Sequence, residues 1–359
     1  MKSKNKNLIG GEKVFPLSIL FLKKKNDIFS DYQRKFKNFF INYTFGGYFS
    51  LLSIIHDLDL AKNSYVLLPS YLCPSILKPF QDRCIKYVFY RIDANLSPDF
   101  KHIEELLNKD VKAVLFIDYM GKSQIENVLP LHSLLSKNGV KIIQDCVQTI
   151  NIEEDKIYGD YAFNSFRKTT PFEGSIIISK KNMHICFEKN LPYKFIFYKR
   201  MGQILRYFHI HFNIFKPTFF LRFLEKAEEL YQASVIYKFP RMNKYLIEKI
   251  DFKQLIKKHE VNYNILMEML KPFVPRTLQC SNFEPFAFFM VVNKRNSIRK
   301  FLHENGIFCP VHWAIPNEIN KATFRESHDI SAKALTIPLA DINESNINDL
   351  KLSLEKVML

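Results

Sequence analysis

"KIIQDCVQ", residues 141–148, joins a short apolar run to an acid and an amide. With Val140 its first part, "VKIIQD", has the length and branched character of a buried strand. Similar runs lie on both sides: "SYVLLP" (64–69), "IKYVFY" (85–90), "KAVLFIDY" (112–119) and "SIIISK" (175–180). Between them "GYFSLLSIIHDL", "PSILKPFQD", "DFKHIEELLNK" and "LPLHSLLSKNG" have helical spacing. Strand–helix alternation of this kind predicts an α/β fold, with a mostly parallel sheet between helices. In such sheets ligands bind beyond the carboxyl ends of the strands. The polar residues of "LLPSY", "FIDYMG" and "IIQDCVQ" cluster at those ends.

The chain has 359 residues, 47% hydrophobic and 25% charged, enough for a large domain and a smaller one. We expect an N-terminal segment and large domain over 1–249, in which 189–249 forms a helical arm rich in basic and aromatic residues. A smaller α/β domain is expected over 250–359, where "FEPFAFFMVVNKRNSIRKFLHENGIFCPVHW" reads strand, helix, strand and the last twenty residues read as a helix. The net charge of +16 suits acidic partners but selects none of them. No motif or stacking platform supports nucleic-acid binding. Six scattered cysteines, Cys280 among them, form no C-x-x-C pair and read as free thiols in a reducing compartment. "VFPLSILFL" (14–22) contains a proline and runs into "KKK" rather than a cleavage site, so a cytoplasmic protein is expected. His209 and His211 lack a companion ligand set, and no metal site is expected.

The chemistry gathers around "NSFRKTTPFEGS" (164–175). A lysine can form a Schiff base with an aldehyde when its amine is suitably held. Lys168 is a candidate, although a solvated surface lysine is the ordinary alternative. Ser165, three residues earlier, can offer a hydroxyl to a phosphate, and Gly174 lets the backbone turn. At the end of the upstream strand, Asp145 can keep a pyridine nitrogen protonated, as pyridoxal phosphate requires. The ordinary alternative for Asp145 is a helix N-cap. Gln148 can approach the ring oxygen. Gly46 and Gly47 precede a helix whose first amides can bind phosphate. Singly each residue favours the ordinary reading; together they supply the functions of a pyridoxal phosphate site.

This series resembles the DegT/DnrJ/EryC1/StrS family of sugar aminotransferases, pyridoxal 5'-phosphate enzymes of fold type I. The likeness is carried by "LIGGEKVF", "FGGYFSLLSII", "VLLPSYLCPSI", "FIDYMG", "IIQDCVQ", "GDYAFNSFRKTTPFEGS", "GIFCPVHWAIP" and "LTIPLADINESNINDL". The resemblance implies that Lys168 holds the cofactor and shuttles the proton. It implies that Asp145 pairs with the pyridine nitrogen and that Gln148 lies near the ring oxygen. Ser165, with backbone amides near Gly47 and Tyr48, would hold the phosphate. It implies a homodimer with shared active sites, Asn243 falling near the position where a partner residue reaches the phosphate. It further implies amination of a keto-sugar, nucleotide-linked, with glutamate as donor, in surface-polysaccharide or specialised-sugar biosynthesis. Lysine at 168, rather than the histidine of the family's dehydratase branch, favours transamination.

Three departures stand out. Cys73 occupies the position where the family stacks an aromatic or histidine over the ring, Tyr48 replaces a small or arginine residue, and Ser175 replaces a glycine. They motivate a second reading, a non-catalytic binding or regulatory protein on the same fold; another pyridoxal phosphate reaction on an amino or keto compound is a third. His312 and Trp313 are candidates for a sugar-binding wall, or for ordinary small-domain packing. The stretch 189–224 has seven basic residues, no acidic one and eleven Phe or Tyr. Two readings stay open for it: an arm buried against a dimer partner, or a peripheral contact with an anionic membrane.

Overall fold

The computed structural model of the protein describes residues 8–61, 63–231, 235–279 and 283–358, so Cys280 lies outside the described residues. The other five cysteines are free thiols. The chain divides into two compact units: Met1–Gly11, Leu60–Asp160 and Phe252–Leu359 form one, Glu12–Asp59 and Tyr161–Asp251 the other.

In the first unit four parallel strands lie side by side in the order Lys86–Tyr90, Tyr65–Pro69, Val111–Ile117, Lys141–Asp145. Helices Leu77–Asp82, Phe100–Leu106 and Ile125–Lys137 provide the crossovers that parallel pairing demands. The strands read as nearly continuous apolar runs because both faces are covered: Val66, Leu67, Val114, Leu115, Phe116 and Ile143 are fully buried. The register sets Ile117 opposite Asp145, and the Asp118 N–H extends the ladder to the Asp145 carbonyl at 3.0 Å. The acids Asp118 and Asp145 therefore stand level at the carboxyl ends. The unit's later part follows the expected strand, helix, strand order, with Phe288–Val291, Arg295–Glu304 and Ile307–Phe308, and ends on the helix Ile347–Met358. Strand Phe288–Val291 pairs antiparallel with Ala334–Ile337, while Ile9–Gly10 pairs parallel with Ile307–Phe308. At Gly10 the backbone is left-handed (φ +81°) and a Cβ would sit 2.3 Å from the Phe308 carbonyl oxygen, so only glycine fits. The Gly10 N–H donates to Asp341 (3.0 Å).

In the second unit Ser175–Ser179 runs antiparallel to both Phe40–Thr44 and Tyr161–Phe163. The sequence identified the first of these strands but not its direction or its two partners. The reason is the connection: residues 164–174 contain one 3-10 turn and no helix, so the chain reverses rather than crossing over. Helix Gly47–Asp57 buries Phe49, Leu51, Leu52, Ile54 and Ile55. Helices Tyr193–Phe212 and Pro217–Tyr231 form a hairpin, and Arg241–Ile247 closes the unit.

Glu284 lies half-buried in the first unit, and its Oε2 is enclosed without a hydrogen-bond partner among the described residues. Burial, with repulsion from Glu153, pushes its carboxyl up from 4.5 to about 7, Lys156 opposing. The folded state thus holds the proton more tightly than the unfolded chain. The associated stability is complete below the unfolded value and is lost as pH rises through about 7. At ~1.4 kcal/mol per pKa unit the loss is about 3 kcal/mol. Urea unfolding compared at about pH 5 and about pH 8 should show it, and Glu284→Gln should flatten the difference.

Candidate active site

The strand-end acids have different settings. Asp118 is 3% exposed and accepts four hydrogen bonds: from the Gln124 N–H (2.9 Å), Gln144 Nε2 (2.8 Å), the Tyr158 hydroxyl (2.8 Å) and the Cys146 thiol (3.5 Å). Burial still outweighs these donors and raises its carboxyl above the ordinary range. Asp145, equally buried, is the last residue of its strand, and its Oδ1 accepts the Val147 N–H at 2.8 Å. No helix starts there, so Asp145 is not an N-cap. Gln148 is buried, and its Oε1 accepts the Met120 N–H at 3.1 Å. The amide is thereby locked against the turn Tyr119–Gly121, whose Met120 is left-handed (φ 56°).

The same unit carries an aromatic wall. Tyr71, Tyr119 and Trp313 have centroids 5.3–6.2 Å apart. The Tyr119 hydroxyl donates to the Tyr71 carbonyl, and the Tyr71 hydroxyl to the His312 carbonyl. The His312 ring meets the Thr336 hydroxyl (2.9 Å), and the Trp313 carbonyl accepts the Ser331 hydroxyl (2.6 Å). His312 and Trp313 are therefore held in place yet only partly buried. Cys73, also partly buried, contacts the Ser75 hydroxyl at 3.0 Å.

In the second unit the segment 164–175 is a pinned loop. The Asn164 N–H donates to the Ile176 carbonyl (3.2 Å) and the Ile176 N–H to the Asn164 side-chain Oδ1 (2.9 Å), the Phe166 N–H donates to the Gly174 carbonyl (2.9 Å), and Ser175 joins a hydroxyl chain with Ser50 and Thr44. Gly174 has φ +154°, and a Cβ there would lie 1.9 Å from the Phe239 ring. That ring stacks on Phe166 at 6.0 Å. The 3-10 turn Phe166–Lys168 then gives three successive residues different fates. Phe166 is buried; Arg167 lies 4.0 Å over the Tyr231 ring and reaches Glu228 at 3.3 Å; Lys168 is exposed. Ser165 is buried, and its carbonyl accepts the Lys168 N–H at 3.1 Å. Gly47 opens its helix with no side-chain cap, and Tyr48, partly buried, packs edge-on against Phe49. Asn243 is buried, donates to the Glu173 carbonyl (2.9 Å), and accepts from Arg200, which also pairs with Glu173 at 2.8 Å.

Each unit thus assembles its own part of the expected set. Asp145, Gln148, Cys73, His312 and Trp313 belong to the first, Lys168, Ser165, Gly47, Tyr48 and Asn243 to the second. The donor chemistry fits pyridoxal phosphate: a buried carboxylate with an anchored neighbour amide, an exposed amine on a braced loop, and an uncapped helix start. Sequence reasoning assigned no role to Asp118 or Arg295, though the acid of "FIDYMG" was a visible strand-end signal. Arg295 lines a cavity of about 390 Å³ together with Ile315, Lys321, His328, Asp329 and Ser331. Its Nε and Nη1 are enclosed and have no hydrogen-bond partner among the described residues.

Residues 47–184 match the model of the DegT/DnrJ/EryC1/StrS aminotransferase family. No curated protein matches the chain by sequence. Solved structures share the fold. A putative sugar aminotransferase from Streptococcus pneumoniae in its PMP form is 12% identical, with TM-score 0.68 over 97% of this chain and 93% of that one. A DegT DnrJ EryC1 StrS aminotransferase from Brucella abortus is 13% identical, with TM-score 0.66 over 96% and 91%. An aminotransferase of pseudoaminic acid biosynthesis from Helicobacter pylori is 14% identical, with TM-score 0.64 over 98% and 99%.

Asp118→Ala should leave the Gln124 N–H and the Tyr158 hydroxyl without their acceptor in a dry site, and Gln144 Nε2 with the Lys156 carbonyl alone. The expected cost is on the order of 3 kcal/mol. Chemical denaturation checks it, and an unchanged midpoint would show that the hub contributes nothing.

Proposed function

We propose that this protein is a pyridoxal phosphate-dependent aminotransferase acting on a keto-sugar. The observation that carries the reading is Lys168, an exposed amine on a loop braced at both ends, within the segment that matches the aminotransferase family model. When bound, the cofactor supplies an aldehyde and an electron sink. Lys168 Nζ would hold the aldehyde carbon covalently and, once displaced by the amino donor, would carry the proton to and from the reacting carbon. Asp145 would keep the pyridine nitrogen protonated, and Gln148 would donate Nε2 toward the ring oxygen, its Oε1 being fixed on Met120. The Ser165 hydroxyl and the amides of Gly47 and Tyr48 would bind the phosphate. Trp313, partly exposed and backed by buried Tyr71, would offer an apolar wall for a sugar ring. We take glutamate as the donor, a homodimer as the working form and the cytoplasm as its place.

An anionic end on the substrate has its own support. Arg295, whose Nε and Nη1 are enclosed without a partner among the described residues, lines its cavity with Lys321 and His328, and this cationic surplus over the single Asp329 suits a diphosphate or carboxylate. A nucleotide-linked keto-sugar carries such a group.

Purified protein incubated with pyridoxal phosphate should develop a visible band that glutamate bleaches. Borohydride should then trap a cofactor-sized mass on the peptide containing Lys168. Lys168→Ala should give neither. A wild type without band or adduct would move the reading to a non-catalytic protein on this fold. With amination established, Arg295→Ala should raise KM for a nucleotide-linked substrate about tenfold, the scale of one lost charge-assisted contact, with kcat nearly unchanged.

A further inference from the structure

The helical hairpin of the second unit has an inner face and a tip of opposite character. Inside, Phe195, Gly202 and Leu205 pack with Phe220, Leu224 and Ala227, all buried. At the tip every residue from 211 to 219 is exposed. Among them Phe212 is 60%, Ile214 48%, Phe215 44% and Phe219 48% exposed, and Leu221 (44%) and Phe197 (56%) continue the patch along the helices. A contiguous apolar patch of this kind marks a docking surface rather than ordinary surface scatter.

The cations divide just as sharply. Lys199 bridges Glu228 (2.9 Å) and Glu12 (3.1 Å), Arg200 pairs with Glu173 (2.8 Å), and Arg206 donates to the Glu12 carbonyl. Those three hold the hairpin's base. Lys194, Lys216 and Arg222 are instead exposed among the aromatics, and no Asp or Glu occurs between Glu188 and Glu225. The same unit has a second surface of this composition: Leu20, Phe21 (87% exposed) and Leu22 run directly into exposed Lys23, Lys24 and Lys25.

We propose that this hairpin tip is a membrane-surface anchor that inserts its aromatic side chains among anionic lipid headgroups. Apolar side chains interleaved with cations match the acyl–headgroup boundary, where rings leave water and lysines meet phosphate. A second copy of the chain is a poorer occupant, because two tips with only positive charge repel when they meet. No helix among the described residues is long and apolar enough to cross a membrane, so the contact is interfacial. Such an anchor would hold the protein beside substrates or products attached to lipid.

Cosedimentation with vesicles tests it, and the readout does not depend on amination or on cofactor loading. The wild type should pellet with vesicles of phosphatidylcholine and phosphatidylglycerol and stay in solution with phosphatidylcholine alone. Partition should weaken with salt but not vanish. Phe212→Ser/Phe215→Ser and Lys216→Glu/Arg222→Glu should each lower binding at least tenfold, with circular dichroism unchanged. Wild-type protein remaining in solution with anionic vesicles at low salt overturns the proposal. So does a gel-filtration dimer that the Phe→Ser pair dissolves while vesicle binding is absent, since the tip would then be a contact between copies.

Discussion

A carboxyl group in a dry interior must find hydrogen-bond partners, and Asp118 imposes that requirement on the carboxyl edge of the parallel strands. Its four donors come from the following turn, the neighbouring strand, the residue after that strand and a tyrosine further on. Satisfying it fixes where the chain leaves each strand. Cys146 is drawn back toward Asp118, while Asp145 keeps its own position at the strand end. Gln148 is in turn committed to Met120 through Oε1. Asp145 and Gln148, the acid and amide of the proposed site, thus lie beside a network centred on Asp118, to which the proposed reaction gives no role.

The second unit solves a different problem, how to pack a loop and a helix that are both rich in cations. Lys199, Arg200, Arg206 and Arg167 are each bound to a carboxylate, a carbonyl or an aromatic face. Phe166 and Phe239 clamp the loop from below, and that clamp is what makes glycine obligatory at 174. Rotation along a single 3-10 turn leaves Lys168 exposed, while Phe166 is buried and Arg167 is only partly exposed. The basic surplus of the chain is therefore not uniform: part is internal bracing, part is exposed beside aromatics on the hairpin, and Lys168 is the member to which the proposed reaction gives a covalent role.

Local pattern alone determined the four parallel strands, their helices and the strand–helix–strand of the C-terminal part, because burial of apolar faces is written in short-range periodicity. It also picked out the acid and amide of "IIQDCVQ" and the lysine of "NSFRK", since strand ends and tight turns leave compositional marks. The direction of Ser175–Ser179, its partners Phe40–Thr44 and Tyr161–Phe163, and the network behind the candidate residues were decided only in the tertiary structure. The bond from Tyr158 to Asp118 spans 40 residues and that from Asn243 to Glu173 spans 70. Side-chain hydrogen bonds at such separations depend on which groups burial brings within 3 Å, and no local window of sequence records that.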